Sequence, residues 1–133
     1  MSKLSFKLFC IEKYADKHGI PSNKAYSLFE SKDMIQLLDD NYDPSHDHVL
    51  EYIKKDLARQ WELKPGEKRT HGTIRSVTLK TIIPLIMEHF NCGENEALKK
   101  FYESHIGACY ADDNTGLYGQ SAYYVADLFF KAL

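Results

Sequence analysis

The chain has 133 residues, 44% of them hydrophobic, which is enough apolar material for one respectable core or two small cores packed on each other and excludes a disordered chain. Seventeen Lys and Arg against 19 Asp and Glu give a net charge of −2, a balance that argues neither for a nucleic-acid binder nor for a membrane-surface protein. No run approaches the length of a membrane span, and Leu4 to Ile11 is already broken by Ser5 and Lys7, so a soluble cytoplasmic protein is expected.

Leu4, Leu8, Ile11 and Ala15 recur at helical spacing and predict a first amphipathic helix, closed by His18 and Gly19. Ser22 is the expected N-cap of a second helix that buries Ala25, Leu28 and Phe29. Asp33 is the expected cap of a short third helix carrying Met34, Leu37 and Leu38, stopped by the acidic turn Asp39, Asp40, Asn41, Tyr42, Asp43, Pro44. Ser45 then caps a fourth, with Val49, Ile53, Leu57 and Trp61 pointing inward. Residues 63–72, with Pro-Gly at one end and Gly at the other, carry no apolar period and read as a polar connector.

Beyond it, Thr73 to Val77 reads as extended chain or loop, and Thr78 or Thr81 opens an apolar helix to Phe90, with Pro84 either in its first turn or kinking it. Glu94 to Ser104 predicts a helix burying Ala97, Leu98 and Phe101, followed by a turn of helix across Ile106 to Tyr110 and a polar turn, Asp112 to Gly116. Ser121 caps a terminal helix with Tyr124, Val125, Leu128 and Phe129 on one side. The fold class is therefore all-α: two tandem helical modules, 1–62 and 73–133, about seven or eight helices packed together across the connector. The halves echo each other, Ala25 and Phe29 matching Ala97 and Phe101 at an offset of 72, and Leu38 to Asn41 matching Ala111 to Asn114 at 73.

Charge is unevenly spread. Lys54, Lys55, Arg59, Lys64, Lys68, Arg69, Arg75 and Lys80 face only Asp56, Glu62 and Glu67 in that stretch, a local +5, leaving −7 over the rest. Recognisable chemistry is sparse. Asp39, Asn41 and Asp43 alternate like early calcium ligands, but Pro44 stands where the loop needs glycine and Leu50 where it needs a bidentate glutamate. His46 and His48 fall in the first turn of a helix, on different sides of it. Cys10, Cys92 and Cys109 lack Cys-x-x-Cys spacing, which suggests neither a disulfide framework nor a zinc site. His105 and Cys109, and His89 and Cys92, are spaced to meet on a helix face, yet no glycine-rich strand-to-helix turn supplies oxyanion donors. Gly119, Gln120, Ser121 starts like a nucleophile elbow and ends differently. No cofactor or metal is expected. Nine tyrosines are more suggestive, with Tyr118, Tyr123 and Tyr124 crowded at the start of the last helix.

Phe9, Cys10, Ile11, Glu12, Lys13 and Tyr14, then Ala25, Tyr26, Ser27, Leu28 and Phe29, and later Leu37, Leu38, Asn41, Tyr42 and His48 resemble a family of small bacterial all-helical domains of unknown function. The resemblance covers about residues 4 to 60, and Ser45, His46, Asp47, His48 stands where the family turn carries a His-Thr pair. Phe101 to Ser104, with Thr115 to Tyr118 and Ser121, is similar to a segment of comparable proteins. Such families often lie near genes for ADP-ribosyltransferase-like toxins, so the resemblance implies a toxin-neutralising or adaptor role.

The expected function is that of a non-enzymatic protein-binding module, antitoxin-like or inhibitory, covering a surface of a toxin or another nucleotide-handling enzyme. Asp39, Asp40, Tyr42, Asp112, Asp113, Tyr118 and Tyr123 are the expected contact residues. The alternative is nucleic-acid binding through Lys54, Lys55, Arg59, Lys68, Arg69 and Arg75. An enzyme built on a Cys-His pair is the third reading.

Overall fold

The computed structural model describes residues 2–42, 55 and 71–133, and among these all regular structure is helical. The helices are α1 (Lys3–His18), α2 (Ser22–Ser31), α3 (Met34–Asp40), α4 (Gly72–Phe90), α5 (Glu94–Tyr102), α6 (His105–Ala111) and α7 (Ala122–Lys131). Two short 3-10 turns, Asp113–Thr115 and Leu117–Gly119, link the last two. The helix expected after Ser45, the His46/His48 pair and connector residues 63–70 lie outside the described residues.

The ends of α1 follow from its sequence. The Ser2 hydroxyl accepts from the Ser5 N–H at 3.1 Å, and Gly19 sits in the left-handed region at φ 65°, its N–H turned back to the carbonyls of Ala15 and Asp16. Ser104 and Ser121 cap α6 and α7 in the same way, through the Gly107 and Tyr124 amides. Glu94 and Glu96 in the first turn of α5 and Lys99 and Lys100 in its last both complement the helix dipole.

Several expectations need correction. Helix α2 begins one residue earlier than a Ser22 cap requires: Pro21 takes the N-cap position, and the Ser22 hydroxyl is buried without a hydrogen-bond partner. Asp33 precedes α3 but does not cap it with its side chain; it adopts φ 55° to turn the chain sharply out of α2, a conformation Asp tolerates better than most residues. The inward residues shift as well: Tyr26 and Ile35 are buried, while Leu28 and Leu37 are 40% and 56% exposed.

Residues 73–77 are neither loop nor strand but the start of α4, in which Thr73, Arg75 and Ser76 are buried. Pro84 lies in the interior of α4 on its exposed side, as does Lys80, whose carbonyl the proline leaves without its helical donor.

Among the described residues, one hydrophobic core draws on both halves of the chain. Leu8 and Ile11 of α1, Ala25 and Phe29 of α2, Ile82 and Ile86 of α4, Leu98 and Phe101 of α5, Tyr110 of α6 and Val125 and Phe129 of α7 belong to a single buried cluster. Its longest seam joins α1 to α4. These two run antiparallel, because Asp16 near the end of α1 meets Gly72 at the start of α4, while Lys7 near the start of α1 meets Asn95, just past the end of α4. That pairing creates two polar ends, and each carries a buried cation.

Candidate functional site

At one end stands Arg75, on the first turn of α4. Glu12 and Asp16 are four residues apart on α1 and therefore share a face, and both turn toward its guanidinium. Arg75 donates from Nε to Glu12 Oε2 at 3.0 Å, from one terminal nitrogen to Asp16 Oδ1 at 3.4 Å and from the other to Asp113 Oδ1. Glu12 is fully buried, and its second oxygen accepts from the Tyr102 hydroxyl at 2.9 Å. The Tyr110 hydroxyl donates to the Arg75 carbonyl at 3.2 Å. Nearer solvent, the His71 ring stacks on Tyr118 with centroids 4.0 Å apart and places Nδ1 2.9 Å from Asp113 Oδ2. The Gly72 N–H donates to Asp16, and a Cβ on Gly72 would stand 2.3 Å from that carboxylate.

Charge and burial compete here. Burial raises the Glu12 pKa above its ordinary value, while the Arg75 charge and the hydrogen bonds from Arg75 and Tyr102 oppose the rise. Asp16 is raised for the same first reason, against Arg75 and Lys13. Asp113 goes the other way: partial burial is outweighed by the His71 hydrogen bond and the Arg75 charge, and its carboxyl is held low. Desolvation acts to lower Arg75, but its three carboxylates prevail and raise it. Arg75 is thus a buried cation, 5% exposed, with each guanidinium nitrogen on a carboxylate, and it presents little surface to a nucleic acid. Of the remaining members of that set, Lys55 is exposed, and Lys54, Arg59, Lys68 and Arg69 lie outside the described residues.

At the other end, Lys7 is 1% exposed and its ammonium meets Asp39 Oδ1 at 2.8 Å, Glu94 Oε1 at 2.6 Å and Asn95 Oδ1 at 2.7 Å. Asn95 in turn donates to Asp39 Oδ2 at 2.9 Å. The Asp39 carboxyl is held below its ordinary range: partial burial works against the shift, and the hydrogen bonds from Lys7 and Asn95 with the Lys7 charge exceed it. Asp39 is therefore committed internally. Asp40 is exposed and accepts from Gln36 at 3.0 Å on the wall of a groove of about 500 Å³, which Lys3, Glu94 and Glu96 also line. Tyr42 lies against α1, its ring 5.8 Å from that of Phe6.

Nine residues of α1 separate Lys7 from Asp16, about 13 Å along the helix at about 1.5 Å per residue. The two acidic turns thus sit at opposite ends of the α1–α4 pair. The expected contact set is divided: Asp39, Asp40 and Tyr42 gather at one end, Asp112, Asp113 and Tyr118 at the other. Asp112 is exposed and its side chain accepts from the Asn114 amide, while Tyr118 is half-buried on His71. Tyr123 is 69% exposed and its neighbour Tyr124, expected to face inward, is 51% exposed; α7 instead buries Val125, Ala126 and Phe129.

Lys7, Glu12, Asp16 and His71 were absent from the expected set. The signal for the first two was present: both fall within the apolar stripe Leu4, Leu8, Ile11, Ala15, where a charge requires a buried counter-charge. Among the described residues no three His, Cys, Asp or Glu side chains are gathered to hold a metal ion. Nor is any helix among them long and apolar enough to cross a membrane.

Among the described residues the architecture is all-helical, with buried ion networks pinning both ends of the α1–α4 pair. Residues 5–60 match the model of the family described as "Protein of unknown function (DUF3791)". Lys7, Glu12, Asp16 and Asp39 lie inside the matched stretch, and their partners Arg75, Glu94 and Asn95 beyond it. No curated protein and no solved structure matches the chain.

Proposed function

We propose that this chain is a non-enzymatic protein-binding module that acts as an antitoxin-like or inhibitory partner by covering a surface of its target. The observation that carries the reading is the adjacent pair Tyr123 and Tyr124, both more than half exposed at the start of α7. Large aromatics have much to gain from burial, and two neighbours left in water supply the kind of anchor that protein interfaces use. Asp112 and Asp113 precede them on an exposed turn, and the excess of acidic residues outside 54–80 steers the module toward a basic target face. The target this reading names is a toxin or another nucleotide- or nucleic-acid-handling enzyme with such a face.

Affinity purification of the tagged chain from its host, with and without nuclease and at low and high salt, tests the reading. Recovery of a stoichiometric protein that survives nuclease and salt is the expected outcome. Recovery of nucleic acid alone, lost at high salt, would transfer the function to the basic stretch.

A further inference from the structure

The His105 and Cys109 spacing is realised on α6. His105 is exposed and its Nε2 lies 3.6 Å from the half-buried Cys109 Sγ, so the pair sits on one face, reachable from solvent. The backbone beneath the thiol is fixed, because the Thr115 hydroxyl stands 2.6 Å from the Cys109 carbonyl and 2.9 Å from that of Asp112. The other two cysteines have different surroundings. Burial pushes the Cys10 thiol up to about 11, out of reach of neutral-pH chemistry. Cys92 follows α4, and His89, three residues before it, turns its ring onto Phe130 with centroids 4.3 Å apart.

We propose that Cys109 is the reactive thiol of this chain, that His105 is its base, and that the pair undergoes exchange with low-molecular-weight disulfides. The inference is independent of the protein-binding reading. With the imidazole hydrogen on Nδ1, Nε2 takes the thiol proton, and the thiolate attacks one sulfur of the small disulfide. One S–S bond forms between Cys109 and that sulfur as the original S–S bond breaks. The departing thiolate collects the proton from the imidazolium, so a free small thiol is released and His105 returns to neutrality. The disulfide is the only co-reactant, and the product is a mixed disulfide on Cys109.

The test treats the full chain with dithiobis-nitrobenzoate and, separately, with glutathione disulfide near neutral pH, and follows each cysteine by peptide mass spectrometry. Cys109 is expected to react first with both, and Cys109→Ser to abolish the fast phase. His105→Asn, at an exposed position, removes the base that takes the thiol proton and is expected to slow Cys109 about tenfold or more. The Cys92 rate should not change in that variant. Reaction of Cys109 no faster than Cys92, or an unaltered Cys109 rate in His105→Asn, would overturn the proposal.

Discussion

Replacing Arg75 by Met isolates the energetic weight of the buried network. The substitution keeps most of the side-chain volume but removes the one cation bonded to Glu12 among the described residues; Glu12 is fully buried and keeps the Tyr102 hydroxyl on its other oxygen while Asp16 stays close by. An uncompensated buried charge of this kind costs about 3–5 kcal/mol. A domain of this size has roughly 5–15 kcal/mol in total, so the variant should be close to unfolded in mild denaturant. Glu12→Gln is the informative contrast, because Arg75 then keeps Asp16 and Asp113 and the amide can still bond Tyr102, for a cost of about 1.5 kcal/mol. Combining Glu12→Gln with Arg75→Met removes the stranded charge and should regain about 2 kcal/mol relative to Arg75→Met alone. Urea unfolding followed by helical circular dichroism gives all three values. A loss below about 1 kcal/mol for Arg75→Met, or a double variant no more stable than that single one, would refute the assignment of Glu12 as a buried carboxylate held by Arg75.

Stability should also depend on pH in two opposing ways. Asp39 and Asp113, whose pKa values are lowered, contribute stability that is present above the ordinary 3.8 and lost as pH falls through their folded values. Glu12 and Asp16, whose values are raised, favour the fold most below the ordinary 4.5 and 3.8, and that contribution is lost as pH rises through their folded values. Glu12→Gln removes one opposing group, so its urea midpoint should climb more steeply than the parent's as pH rises above the ordinary 4.5; an equal or shallower climb would contradict the raised Glu12. Gly107→Ala would place a Cβ 1.9 Å from the Phe101 carbonyl oxygen and should cost about 3 kcal/mol, whereas Gly119→Ala, with open space around it, should stay within about 0.5 kcal/mol in the same assay.

The helices were legible where apolar period and cap agreed. Leu4, Leu8, Ile11 and Ala15 with Gly19 define α1, and Ala97, Leu98 and Phe101 define the buried face of α5, as the residues themselves suggest. Legibility failed where burial is polar. The first turn of α4 hides Thr73, Arg75 and Ser76, and Arg75 is readable as core only once Glu12, Asp16 and Asp113 are known to surround it. Those partners are 38 to 63 residues distant in the chain, beyond any local pattern. The same long-range pairing divided the expected contact set, because Asp39 resembles Asp40 in sequence until Lys7 claims it. Tyr123 and Tyr124 posed the reverse problem. Neighbours on a helix point about 100° apart, so one of them was expected inside, but Val125, Ala126 and Phe129 already fill the buried face.

The central claim, recognition of a protein through the exposed tyrosine pair, is tested most directly by quantitative capture of the partner with the parent chain and with Tyr123→Ser/Tyr124→Ser. Both side chains are largely solvated, so the double variant should unfold within about 0.5 kcal/mol of the parent. If the pair is a binding anchor, the nuclease-resistant partner recovered by the parent should fall at least about tenfold with the variant, the loss expected for an interface residue worth 1.4 kcal/mol or more. Equal recovery by both chains would contradict the account.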